Sequence, residues 1–141
     1  FDAPRKPVKI CGEVSGSTEI WCDIIKSDTA KTICTYGSEY YKGESAVTVN
    51  EYGKGRVYYV GCDLDNDAMK ELVRIIAKSA NVETVDTPNG VEVVKRDDCI
   101  IILNHNENEV DTKIKGVSLF DGLEFNGVLD GYGVQFLEGS I

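Results

Sequence analysis

Residues 45–65 read SAVTVNEYGKGRVYYVGCDLD, and no other stretch limits the fold so strongly. Branched and aromatic side chains dominate 46–50 and 56–60, the composition that suits a pleated, half-buried surface. Between them, Tyr52-Gly53-Lys54-Gly55 supplies glycines where a tight turn needs positive φ. The pattern predicts a β-hairpin. Cys62 follows at once, in a turn after Gly61, and a helix is expected soon after it. Some enzymes hold a nucleophile at such a strand-to-helix turn, so the stretch raises two readings: a reactive thiol, or a scaffold.

The helix is predicted from spacing. Ala68, Met69, Leu72, Val73, Ile76, Ala77 and Ala80 recur at steps of three and four and form one apolar stripe. Lys70, Glu71, Arg74 and Lys78 face away from it. Asp63 or Asp65 is expected to cap its start, Asp67 suits the positive first turn, and Asn81 suits a left-handed stop.

Upstream, residues 1–7 read as loop, and strands are expected at 8–14, 20–26 and 30–36. Downstream, ETVDTPNG is a polar connector. Beyond it only short strands are expected: 91–95, 99–104, 111–115, 127–129 and 133–137, separated by closely spaced turn residues. Two parts follow. Residues 1–85 read as a partial α/β unit with five strands and one helix. Residues 86–141 read as a small antiparallel all-β domain at the lower size limit for an independent core. One helix cannot cover both faces of an α/β sheet. The chain is therefore expected to begin inside a domain, with a further segment or another chain covering the rest.

Composition excludes several classes. At 42% hydrophobic and 28% charged, the chain is too apolar for disorder. The apolar run 100–103 is long enough for a strand, not a membrane span. No export signal opens the chain, so a cytoplasmic location is expected. A net charge of −9 repels phosphate backbones, so neither nucleic acid nor membrane is an expected partner. Cysteines at 11, 22, 34, 62 and 99 show no CxxC spacing. Most lie in apolar strands, as small buried hydrophobes do in a reducing compartment.

Cys62 as a nucleophile would need a base, and His105 is the only histidine, far off in the second part. The reading of Cys62 as a small turn residue is preferred. A lone histidine also makes a poor metal site. Glu39, Glu44 and Glu51 flank the hairpin, but nothing fixes two of them as an acid/base pair. No phosphate-loop, dinucleotide or serine-hydrolase motif is present. Catalytic residues, cofactor and metal are all expected to be none. Trp21, Tyr36, Tyr40, Tyr41, Tyr52, Tyr58 and Tyr59 crowd the first part. Packing, subunit contact and ligand stacking are the readings open for the Tyr40-Tyr41 loop; Tyr40, Tyr41 and Trp21 are the candidate residues for a subunit interface.

The order Trp21, residues 30–36, then YKGESAVTVNEYGKGRVYYVG at 41–61 resembles the middle domain of the family 42 β-galactosidases. Ser45 stands where that family usually has proline. Residues 90–96 and 103–105 look like the family's C-terminal β domain. The resemblance implies a parent with an N-terminal TIM barrel carrying two catalytic glutamates that hydrolyse terminal β-galactosides with retention. It implies a middle domain similar to glutamine amidotransferases but lacking their working cysteine, which mediates homotrimer formation. This chain would be the end of that middle domain plus the last domain, and inactive alone. Its partners would be the missing barrel and two further copies, and Tyr40, Tyr41 and Trp21 would be the candidates for lining an active-site funnel. A barrel needs about 250 residues and cannot fit here. Two other functions are kept open: a carbohydrate-binding module using exposed aromatics, and a cysteine-dependent amidotransferase-like enzyme.

Overall fold

The structure is a computed structural model that describes residues 1–139; the last two residues of the expected second domain lie outside them. The chain divides into two compact units, Phe1–Val82 and the residues from Glu83 onward.

The first unit holds five strands: β1 Val8–Gly12, β2 Gly16–Thr18, β3 Lys31–Tyr36, β4 Ser45–Tyr52 and β5 Gly55–Val60. They form one sheet in the order β2-β1-β3-β4-β5, with every pairing antiparallel. The helix α1, Asn66–Ser79, follows the last of them. This corrects the expected α/β, amidotransferase-like unit: the described chain is nearly all β, 42% strand and 10% helix. The reason is one of order. A parallel neighbour needs a long crossover, usually a helix lying between two strands of one sheet. Here all five strands precede the single helix, so α1 crosses over nothing.

The hairpin β4–β5 turns on Gly53-Lys54, with Gly53 at φ 59° as a type II′ turn requires. Val47 pairs with Val60 and Val49 with Tyr58, which puts their side chains on the face that carries the core. Val8, Ile10, Cys34, Tyr36 and Val47 are sealed there beneath Ala68 and Leu72 of α1. The helix stripe is narrower than the spacing suggests. Ala68 and Leu72 are buried and Ile75 and Ile76 half-buried, while Met69 and Val73 lie exposed. Asn81 stops the helix at φ 54°.

An antiparallel sheet needs its second face covered only in part. Ala46 and Thr48 point to that face and are buried. Residues 20–26, expected as a strand, cross instead beside the start of β4 and the turn after β5 as an irregular segment. Its β pairing is limited to isolated bridges, Cys22 to Asp2 and Cys62, and Ile25 to Ser45. The strand β2 was not foreseen, because its sequence, Gly-Ser-Thr, carries no apolar alternation. Its smallness has a cause: a Cβ on Gly16 would stand 2.5 Å from the Ala68 Cβ, so glycine lets the helix start approach the sheet.

The second unit is built on β6 Val91–Arg96, β7 Cys99–Asn104 and β12 Val134–Glu138, an antiparallel sheet with β7 central. Two short ladders add β8 Val110–Asp111 with β11 Val128–Leu129, and β9 Gly116–Val117 with β10 Glu124–Phe125. The strand expected at 111–115 is broken, and Lys113 at φ 66° marks the break. Val91, Ile100, Ile102, Leu129 and Leu137 form the core. Buried Asn104 ties the loops to it: Nδ2 donates to the Asn108, Leu129 and Asp130 carbonyls, and Oδ1 accepts from the Asn106 amide.

Candidate functional site

The turn that carries Cys62 is organised by two aspartates. Asp65 is the N-cap of α1: Oδ1 accepts from the Ala68 amide at 2.9 Å, satisfying a donor the helix cannot pair itself. Its Oδ2 accepts from the Ser17 amide at 2.5 Å and from Ser17 Oγ at 3.0 Å, which fastens β2 to the helix start. Asp63 reaches the next loop. Oδ1 accepts from Thr18 Oγ1 at 2.5 Å, from the Trp21 amide at 2.9 Å and from the Ile20 amide at 3.0 Å. Oδ2 takes the Glu19 amide at 3.3 Å. Successive amides converging on one carboxylate form an anion nest, here filled by the protein's own side chain.

The electrostatics follow the geometry. Partial burial works to raise the Asp63 carboxyl pKa, but the bonds from Thr18, Trp21, Ile20 and Glu19 outweigh it and leave it below the usual carboxylate range. Asp65 is held low by the Ala68 and Ser17 amides. Cys62 goes the other way. It is only 2% exposed, and burial, with the Cys22 thiol and the Asp63 carboxylate beside it, pushes its pKa up to about 12. Burial of this kind favours the protonated thiol over the thiolate that a nucleophile requires. Cys62 does not sit at the helix N-terminus, since Asp65 occupies the cap. His105 belongs to the other unit, where its Nε2 lies 3.0 Å from Glu92 Oε2.

Glu39 and Glu44 are exposed. A cleft of about 450 Å³ is lined by Glu13 and Glu51, but Lys31 lies 3.8 Å from the first and Arg56 3.6 Å from the second. Among the described residues, no group of three His, Cys, Asp or Glu side chains is placed to hold a metal ion. No described helix is long and apolar enough to cross a membrane.

The three aromatic candidates have different surroundings. Tyr40 is 76% exposed, Trp21 is half-buried and Tyr41 is 1% exposed. The two tyrosines do lie on a loop, but Tyr41 turns into the core. It meets Tyr36 edge-on with ring centroids 5.0 Å apart, and Tyr40 closes over it at 4.7 Å. Tyr36 was not singled out in the sequence, yet it bridges elements: its Oη lies 2.8 Å from the Gly61 carbonyl and 2.9 Å from that of Asp23. Its place at the end of an apolar strand could have marked it as a core tyrosine with a polar tip to satisfy. Nothing local in the sequence marks Thr18.

The polar groups of this junction are thus directed at the chain's own backbone, the arrangement of a structural module. Comparison with known proteins places the module. Residues 4–83 match the family model described as the β-galactosidase trimerisation domain. The chain is 34% identical over 112 residues to β-galactosidase BgaA of Planococcus sp. (strain 'SOS Orange'), covering 74% of this chain and 16% of that protein. It is 34% identical over 129 residues to β-galactosidase BgaA of Clostridium cellulovorans, covering 84% and 19%. Among solved structures, the β-galactosidase from Bacillus circulans sp. alkalophilus superposes with a TM-score of 0.77 at 31% identity, over 99% of this chain and 23% of that one. The chain belongs to the β-galactosidase trimerisation-domain family, and it spans less than a fifth of the length of these two relatives.

Proposed function

We propose that this chain is the assembly and scaffold portion of a β-galactosidase, and that the parent protein hydrolyses terminal β-galactosides at a centre elsewhere in its sequence. The observation that carries the reading is the match of residues 4–83 to the trimerisation-domain model, within a chain that spans 16% of its Planococcus relative. The chemistry of the junction supports it: Cys62 is buried with its pKa raised, the Asp63 carboxylate is engaged by the Thr18 hydroxyl and the Trp21 amide, and Glu51 lies beside Arg56. Residues 1–85 are read as part of the middle domain and 86–141 as the last domain of the parent, in the cytoplasm.

The surface of the first unit supports assembly. Tyr40, Tyr52, Val57 and Tyr59 are all more than half exposed. Large apolar side chains of this kind are what subunit contacts cover. In this reading Tyr40 and Trp21 meet a neighbouring subunit or border its active-site funnel, and Tyr41 acts only by holding Tyr40 in place. The test is made on the full-length parent. Exchanging Tyr40→Asp together with Trp21→Ala is expected to lower the trimer fraction in sedimentation or to raise KM. An unchanged mass and an unchanged KM would remove these two residues from the interface.

A further inference from the structure

Cys22 and Cys62 face each other. They are partners in an isolated antiparallel bridge between the crossing segment and the turn that follows β5. The Cys22 amide and carbonyl are both spent on Asp2, at 2.8 Å each way, and the contact with the turn is made by the Asp23 amide donating to the Gly61 carbonyl at 2.7 Å. The two cysteines are therefore a non-hydrogen-bonded pair, the closer of the two antiparallel kinds, with Cα atoms about 4.5 Å apart. A disulfide spans Cα separations of about 4.4–6.8 Å. Directly opposed residues also project their Cβ atoms to the same side. Both side chains are buried, at 0% and 2% exposure, and both are free thiols. The Thr18 hydroxyl faces both. Tyr41 Oη, which makes no hydrogen bond, has the Cys22 thiol and the Asp2 carboxylate as its polar neighbours.

The other thiols are not so placed. Cys11 pairs with Thr35, one residue beyond Cys34, so Cys11 and Cys34 lie on opposite faces of the β1–β3 ladder. The Cys34 thiol points instead toward the Val14 carbonyl, at 3.6 Å. Cys99 lies in the second unit.

We propose that Cys22 and Cys62 are an oxidisable pair, closed by a low-molecular-weight disulfide such as oxidised glutathione into an intrachain disulfide that latches the crossing segment to the β5–α1 junction. The exchange balances. The two protein thiols give up two protons and two electrons as one S–S bond forms; the S–S bond of the oxidant breaks and takes them up as two molecules of reduced glutathione. The link would enclose β3, β4 and β5 and needs no rearrangement of the backbone. Because both thiols are shielded, closure proceeds through brief local opening of the segment and is slow compared with oxidation of the unfolded chain.

The experiment uses the native 141-residue chain. It is incubated with oxidised glutathione, its remaining thiols are alkylated in denaturant, and it is digested without reduction for peptide mass mapping. The expected result is one linked Cys22–Cys62 peptide pair, with Cys11, Cys34 and Cys99 alkylated. The oxidised form is expected to melt about 5 °C or more above the reduced form, a gain absent from Cys22→Ser and kept by Cys11→Ser. Pairing of Cys22 or Cys62 with another cysteine overturns the proposal. So does alkylation of both, or stable glutathione adducts on them, after an incubation prolonged well beyond the time in which the same chain unfolded in denaturant fully oxidises.

Discussion

Two carboxylates hold the junction of the first unit together. Asp63 collects the Thr18 hydroxyl and the amides of Ile20 and Trp21, so its removal takes the acceptor from two part-buried donors, those of Thr18 and Trp21, at once. Asp63→Ala is expected to lower stability by about 3 kcal/mol, measured by urea unfolding, because bonds to a charged acceptor are the stronger kind and unmet donors add their desolvation cost. The pH dependence has a fixed sign. Asp63 and Asp65 both titrate lower in the folded chain than in the unfolded one. Their contribution is complete above the unfolded value of about 3.9 and is lost as pH falls through the folded values. The urea midpoint of the wild type should therefore fall steeply below about pH 4. Asp63→Ala should show a shallower fall, and equal slopes for the two proteins would count against the nest.

The elements divide into those set by local pattern and those set from a distance. The hairpin β4–β5, the helix α1 and the strand β7 were legible in the sequence, because a glycine turn, a three-to-four spacing and a short continuous apolar run each act over a few residues. Segment 20–26 misled. Its apolar content suits a strand, but Asp63, more than forty residues away, takes the amides at its start. The fold class misled for a related reason: one helix beside five strands looks like a crossover until the strands are seen to pair antiparallel. The reading of Cys62 as a turn residue is supported by its burial, which a sequence shows only as an apolar neighbourhood. At this scale the prediction concerns α1. Leu72 is 1% exposed against the core, whereas Val73, expected on the same stripe, is 52% exposed. Leu72→Ala should cost about 2–4 kcal/mol and Val73→Ala less than about 1 kcal/mol in chemical denaturation. Similar losses at both positions would mean that the helix presents a different face.

At the scale of the whole molecule, the chain consists of two compact units, each with its own apolar core. Retaining hydrolysis needs two carboxyl groups about 5–5.5 Å apart and free to act, and the Glu13 and Glu51 carboxylates that line the cleft of about 450 Å³ are ion-paired with Lys31 and Arg56. The most direct test is a turnover assay of the purified 141-residue chain on a chromogenic β-galactoside. No hydrolysis above the buffer rate is expected at any protein concentration. Release at an enzyme's pace, about 1 per second or faster, rising in proportion to this chain and following it through purification, would contradict the account.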